Sequence, residues 1–192
     1  MARHSKRHIA RDNRHSRGTK LVQRDEVDLQ DIIKSRKAPF FLVLDGVQDP
    51  HNLGACLRTA DGAGVDAVIA PRNRAVGLTE TVSRISCGAL ERVHFIQVTN
   101  ITQTLKELRD SGVWIVGTAD GAESRSLYDV DFTGPIAVVL GAEEKGLRRL
   151  TQETCDVVVR IPMMGKVECL NVSVATGVCL YEALRQRRVL AT

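Results

Sequence analysis

The chain has 192 residues, 43% of them hydrophobic, with 27 Lys and Arg against 23 Asp and Glu, which suffices for one globular domain with a real core plus a tail. No apolar run reaches the roughly 18 to 20 residues that span a bilayer, and the first 24 residues lack the apolar stretch of a secretory signal, so a cytoplasmic protein without membrane contact is expected. Five widely spaced cysteines (Cys56, Cys87, Cys155, Cys169, Cys179) with no CxxC pair argue against a disulfide framework and a zinc knuckle; they read as buried thiols, no metal site is expected, and 4% aromatics excludes a module that works mainly by stacking bases on rings.

Residues 1–24 carry eight Lys/Arg and one acid, a net +7, which leaves −3 for the remaining 168 residues. Such an arm is too polar to fold alone. It either neutralises RNA phosphates, strengthening binding in a salt-dependent way, or serves as a solvated tail. After it, Glu26 to Ser35 reads as a short amphipathic helix, and Phe40 to Asp45 (FFLVLD) as a buried strand. Asp49 as cap and Pro50 at the first helical position start a helix through about Gly62. Strands follow at Val65–Ala70, Val93–Val98, Val113–Thr118, Ile136–Leu140 and Val157–Ile161; helices are expected at Thr79–Cys87, Ile101–Asp110, Glu144–Leu150 and Leu170–Arg188. This alternation predicts an α/β fold, an open parallel sheet with helices on both faces, whose ligands bind at the carboxyl ends of the strands.

Three loops at those ends carry unusual polar residues. In the first, Gly54, Arg58 and Gly62 recur at helical spacing, so Arg58 is expected on a face where no neighbouring side chain blocks a phosphate or sugar hydroxyl, and Asn52 lies in the first turn beside the helix N-terminus. The alternative is that Asn52 only caps and Arg58 is only a surface charge. In the second, LGAEEKGL, glycines allow close backbone approach and Glu143 can accept a hydrogen bond from substrate or orient Arg58, the alternative being a plain acidic N-cap region; neither GxGxxG nor a P-loop is present. In the third, IPMMGKVECLNVSVA, an apolar loop opening onto a helix offers a slot for a flat heterocycle, with Asn171 and Ser173 able to point back into it; Asn171 has the alternative of a plain cap. The final helix is apolar over more of its circumference than one sheet face needs, which leaves a surface for a partner subunit.

The stretches DPHNLGACLRTADGAGVDAVI, VVLGAEEKGL and IPMMGKVECLNVSVATGVCLYEALRQR, in this order, resemble the three signature motifs of the SpoU (TrmH) branch of the SPOUT RNA 2′-O-methyltransferases, over roughly Pro39 to Arg188. Within the branch the chain is most similar to the RlmB-type enzymes, which methylate a guanosine ribose in the peptidyl-transferase loop of 23S rRNA. The resemblance implies a C-terminal trefoil knot, S-adenosyl-L-methionine (AdoMet) bent into it, a homodimer that completes each site, and an RNA substrate, 23S rRNA ahead of a tRNA guanosine. A catalytically idle RNA-binding relative is the remaining class. Carried over by position, it implies that Arg58 is catalytic, that Asn52, Glu143, Asn171 and Ser173 stand in the active site, and that backbone groups around Thr118, Gly141, Ile161 and Leu170 hold AdoMet.

Two departures stand out. Cys169 occupies a position where the family usually has serine. RlmB-type enzymes usually carry an N-terminal RNA-binding domain resembling ribosomal protein L30, and none fits before Phe40. The expected organisation is a basic arm and linker at residues 1–38 and a methyltransferase domain at 39–192, either a lineage that recognises RNA through the arm or a shortened form.

Overall fold

Six consecutive residues of strand β1 (Phe40–Asp45) are fully buried, so the strand must be covered on both faces, as an apolar run without alternation requires. The computed structural model describes residues 26–142 and 146–189; the basic arm and Glu143 lie outside the described residues. After helix α1 (Glu26–Ser35) and β1 come α2 (Pro50–Ala63), β2 (Ala67–Pro71), α3 (Glu80–Ile85), β3 (His94–Val98), α4 (Ile101–Asp110), β4 (Trp114–Thr118), β5 (Arg125–Ser126), β6 (Ile136–Gly141), α5 (Arg149–Thr154), β7 (Val157–Arg160) and α6 (Val172–Val189), with single 3-10 turns at Ala89–Glu91 and Leu127–Asp129. All strand pairs are parallel, in the order β3-β2-β1-β6-β4-β7-β5.

Side chains alternate across this sheet. Phe40, Leu42 and Leu44 enter one core with Leu53 and Leu57 of α2 and Leu180 and Ala183 of α6. Phe41 and Val43 enter the other with Leu29 and Ile32 of α1 and Leu105 and Leu108 of α4. At roughly 1.5–3 kcal/mol for each fully buried large apolar side chain, these two layers are the main stabilising term. No helix among the described residues is long and apolar enough to cross a membrane.

The expected α/β sheet with helices on both faces is present. Some local expectations are corrected. The helix expected at Glu144–Leu150 lies instead at Arg149–Thr154, because Gly146 turns at φ +58° and donates its N–H to Ala142 O at 2.8 Å, and Leu147 then drops into the core. The chain is free to become helical only after that anchor. The edge strand β5, two residues long, is too short to leave a periodic signal. The thiols are not all buried: Cys56 and Cys179 are, Cys155 is half-buried, and Cys87 and Cys169 are exposed.

Candidate active site

Asp49 caps α2 through Oδ1, which accepts the His51 N–H at 2.8 Å, with Pro50 at the first helical position. Asn52 is therefore not the cap. It lies buried in the first turn, where its Oδ1 accepts a hydrogen bond from Asn171 Nδ2 at 3.2 Å. Asn171 sits just before α6 and fills both roles its position allows. Its Oδ1 accepts the Ser173 N–H at 2.9 Å, as a helix cap does, and also the Ser173 hydroxyl at 2.6 Å. The structure thus brings Asn52, Asn171 and Ser173 into one hydrogen-bonded group joining two helices.

Arg58 stands apart from that group. It lies six residues beyond Asn52 on α2, about 9 Å along the helix axis and on a different side. Its side chain is exposed and makes no hydrogen bond or ion pair among the described residues. The expectation that Gly54 and Gly62 keep its face open fails at Gly54, which is buried, whereas Arg58 and Gly62 are exposed. A Cβ at Gly54 would meet Ile85 Cβ of α3 at 2.7 Å, and one at Gly62 would meet the Tyr181 hydroxyl of α6 at 3.0 Å. Gly54 lets α3 pack closely against α2.

A cavity of about 360 Å³ opens at the carboxyl ends of β4, β6 and β7. All four positions expected at the cofactor, Thr118, Gly141, Ile161 and Leu170, line it. Gly141 is where two backbones meet: a Cβ there would lie 2.0 Å from Gly146 C. The Thr118 hydroxyl is turned to the sheet, donating to Val139 O at 3.0 Å, which leaves its backbone for the cavity. Leu170, Val172 and Ala175 line it, and they are chain neighbours of Asn171 and Ser173, which do not themselves line it. Cys169, exposed, is also on the wall.

The volume falls within the range of small-molecule sites, and Leu140, Val159 and Ile161 give apolar walls while Asp120, Arg160 and Glu168 supply charge. That combination fits a flat heterocycle carrying a charged tail, as AdoMet does.

Asp45 and Arg148 escaped the sequence reading. Asp45 ends β1 beside Gly141 in register, is 1% exposed, and pairs with Arg148 Nε at 3.4 Å. An acid closing a wholly apolar strand was the available signal. The pair ties the segment after Gly146 to the centre of the sheet.

Known proteins agree with this geometry. Residues 39–181 match the model of the SpoU rRNA Methylase family. The 23S rRNA (guanosine-2′-O-)-methyltransferase RlmB of Ralstonia nicotianae is 63% identical over 152 residues, 79% of this chain and 61% of that protein. The RlmB of Bordetella pertussis is 54% identical over 184 residues, 94% of this chain and 74% of that protein. The chain thus spans roughly two thirds of the length of the curated relatives it matches. Among solved structures, the A. aeolicus TrmH/SpoU tRNA modifying enzyme superimposes with a TM-score of 0.75 at 34% identity, covering 86% of this chain and 83% of that one. AviRb from Streptomyces viridochromogenes, in complex with the cofactor AdoMet, gives 0.75 at 30% identity over 83% of this chain and 64% of its own. An open parallel sheet, a cavity at its carboxyl edge and a matching family model over the same residues lead to one conclusion: the chain belongs to the SpoU rRNA methylase family.

Proposed function

We propose that this protein transfers a methyl group from AdoMet to the ribose 2′-hydroxyl of a guanosine in 23S rRNA. The observation that carries the reading is the 360 Å³ cavity at the carboxyl ends of the strands, two of whose lining residues, Leu170 and Val172, flank Asn171 of the Asn52–Asn171–Ser173 group in the chain. The RlmB relatives, at 54 to 63% identity, support the choice of RNA. When bound, AdoMet supplies an electrophilic methyl on a good leaving group, so the protein's task is to orient and deprotonate the hydroxyl. Arg58 is the catalytic candidate. A guanidinium is a poor base, so in this reading the Arg58 fork holds the hydroxyl and an adjacent RNA phosphate, and the phosphate takes the proton as the oxygen–carbon bond forms. Asn52, Asn171 and Ser173 fix the ribose, and Glu143 orients Arg58.

The same reading divides the chain into an arm and linker at residues 1–38 and a catalytic unit at 39–192, whose C-terminal part forms the family's trefoil knot. It also holds that two copies assemble through α6. Supporting this, Val174 and Tyr181, seven residues apart on that helix, are each 52% exposed, although they are large apolar residues on one face. Sedimentation at micromolar concentration tests the assembly, and a monomeric mass contradicts it.

The function is tested by incubating the full chain with labelled AdoMet and, separately, 23S rRNA and tRNA, then mapping the modified nucleotide. A 2′-O-methylguanosine in 23S rRNA is expected. Label confined to tRNA overturns the substrate, and RNA binding without any transfer identifies an idle relative.

A further inference from the structure

A second and larger concavity, about 700 Å³, lies on the same carboxyl edge of the sheet, over β2 and β3 and outside the site described above. Arg74, Arg148 and Arg149 line it together with the polar side chains Asn73, Asn100 and Thr102, and among the described residues no acid lines it. Two of the arginines are partnered by carboxylates that do not line the groove: Arg148 by Asp45, and Arg149 by Glu153 at 2.6 Å. Each of those arginines keeps further N–H donors, since a guanidinium has five. The Arg74 side chain has no hydrogen bond or ion pair among the described residues, and its backbone holds the left-handed conformation, φ +60°, that a non-glycine residue seldom adopts. The result is a concave, hydrogen-bonding, cationic groove with one guanidinium that has no partner among the described residues.

Its position relative to the cavity follows from the sheet. β2 is separated from β6 by β1 alone, and from β4 by β1 and β6. At roughly 4.8 Å per strand, the groove lies on the order of 10–15 Å from the cavity along one edge, with Arg148 between them. That is a span of a few nucleotides of single strand.

The geometry points to a phosphate-binding subsite in this groove, in which Arg74 and Arg149 grip an RNA backbone phosphate a few nucleotides from the methylated ribose. This rests on the proposed RNA substrate and adds to it a place where the strand is held. Guanidinium forks match phosphate oxygens in pairs, and Asn73, Asn100 and Thr102 complete the coordination with neutral donors. Arg148 has a different task, because its bond to buried Asp45 makes it part of the floor.

The test uses the full chain, the Arg74→Ala/Arg149→Ala double variant, and a 23S rRNA fragment that the wild type methylates. The double variant is expected to bind the fragment about tenfold more weakly, with the slope of log K against log salt shallower by about 1, while its AdoMet affinity and its kcat at saturating RNA stay at wild-type levels. A set of fragments, each with one neutral methylphosphonate linkage, then locates the contact. One linkage should weaken wild-type binding and have no effect on the double variant. Unchanged RNA affinity in the double variant overturns the subsite, and so does weaker binding that no single linkage reproduces, because that marks a diffuse field. A wild type that neither binds nor methylates any RNA overturns the functional reading itself, which is a different result from either.

Discussion

Asn171 Nδ2 donates to Asn52 Oδ1 at 3.2 Å, joining residues 119 positions apart and locking the start of α6 to the first turn of α2. The same Asn171 accepts from Ser173 through its other amide atom, so capping and cross-linking are carried by opposite ends of one side chain.

Those two roles separate by mutation. Asn171→Asp keeps the acceptor that caps α6 and removes the Nδ2 donor to Asn52; Asn171→Ala removes both. We expect Asn171→Ala to cost about 1–3 kcal/mol in chemical denaturation and Asn171→Asp to cost less, since aspartate is an equally good cap. Both should lower methyl transfer. Full activity in Asn171→Asp would detach the cross-link from catalysis.

The close approach of α3 to α2 gives a second prediction. Gly54→Ala places a Cβ 2.7 Å from Ile85 Cβ, and overpacking of this kind costs about 1–3 kcal/mol. Gly134→Ala meets nothing within 4 Å and should melt close to wild type. Equal melting temperatures for the two variants would show that α3 yields freely.

How much of this was legible in the sequence depends on range. The run FFLVLD fixed a doubly covered strand, and Asp49-Pro50 fixed a helix start, because both signals are local. The spacing of Gly54, Arg58 and Gly62 defined a helix face correctly, yet helical periodicity cannot distinguish an open position from one that a neighbour fills, so Gly54 was misread. The Asn52–Asn171 bond is set by tertiary packing of α2 on α6 and has no local signature; the strand pattern put both residues in loops at one end of the sheet, and the motif resemblance put them in one site. The helix before β7 was misplaced because a left-handed Gly146 and a buried Leu147 outweigh the helical propensity of the residues preceding them.

The thiols predict both reactivity and alkaline behaviour. Burial pushes Cys179 up to about 12, and burial together with the nearby Asp156 and Asp45 carboxylates does the same for Cys155, against an ordinary value near 9. At pH 8, iodoacetamide should therefore label Cys87 and Cys169 in the native protein and spare Cys56, Cys155 and Cys179. AdoMet should protect Cys169, which lines the cavity, and leave Cys87 reactive. Because the folded state holds these protons more tightly than the unfolded chain, the stability they contribute is full below about pH 9 and falls as pH rises toward 12. Cys179→Ala should flatten that alkaline decline; an unchanged slope in urea titrations between pH 9 and 11 would contradict the assignment.

Arg58 provides the decisive test of the proposed chemistry. It is exposed and makes no hydrogen bond or ion pair among the described residues, so its replacement should leave the melting temperature and AdoMet affinity essentially unchanged. Its proposed work is done only when RNA is present, by a planar fork that spans the hydroxyl and the phosphate together. Arg58→Ala is therefore expected to lower kcat by about 100-fold or more, the scale on which a positioned proton-transfer group acts. Arg58→Lys retains the charge but offers a single ammonium in place of the fork, and should remain close to Arg58→Ala. Single-turnover methyl transfer at saturating RNA and AdoMet reads this step without interference from binding. If Arg58→Lys turns over at a near-normal rate, positive charge alone is sufficient at this position, and the bidentate role given to the guanidinium is wrong.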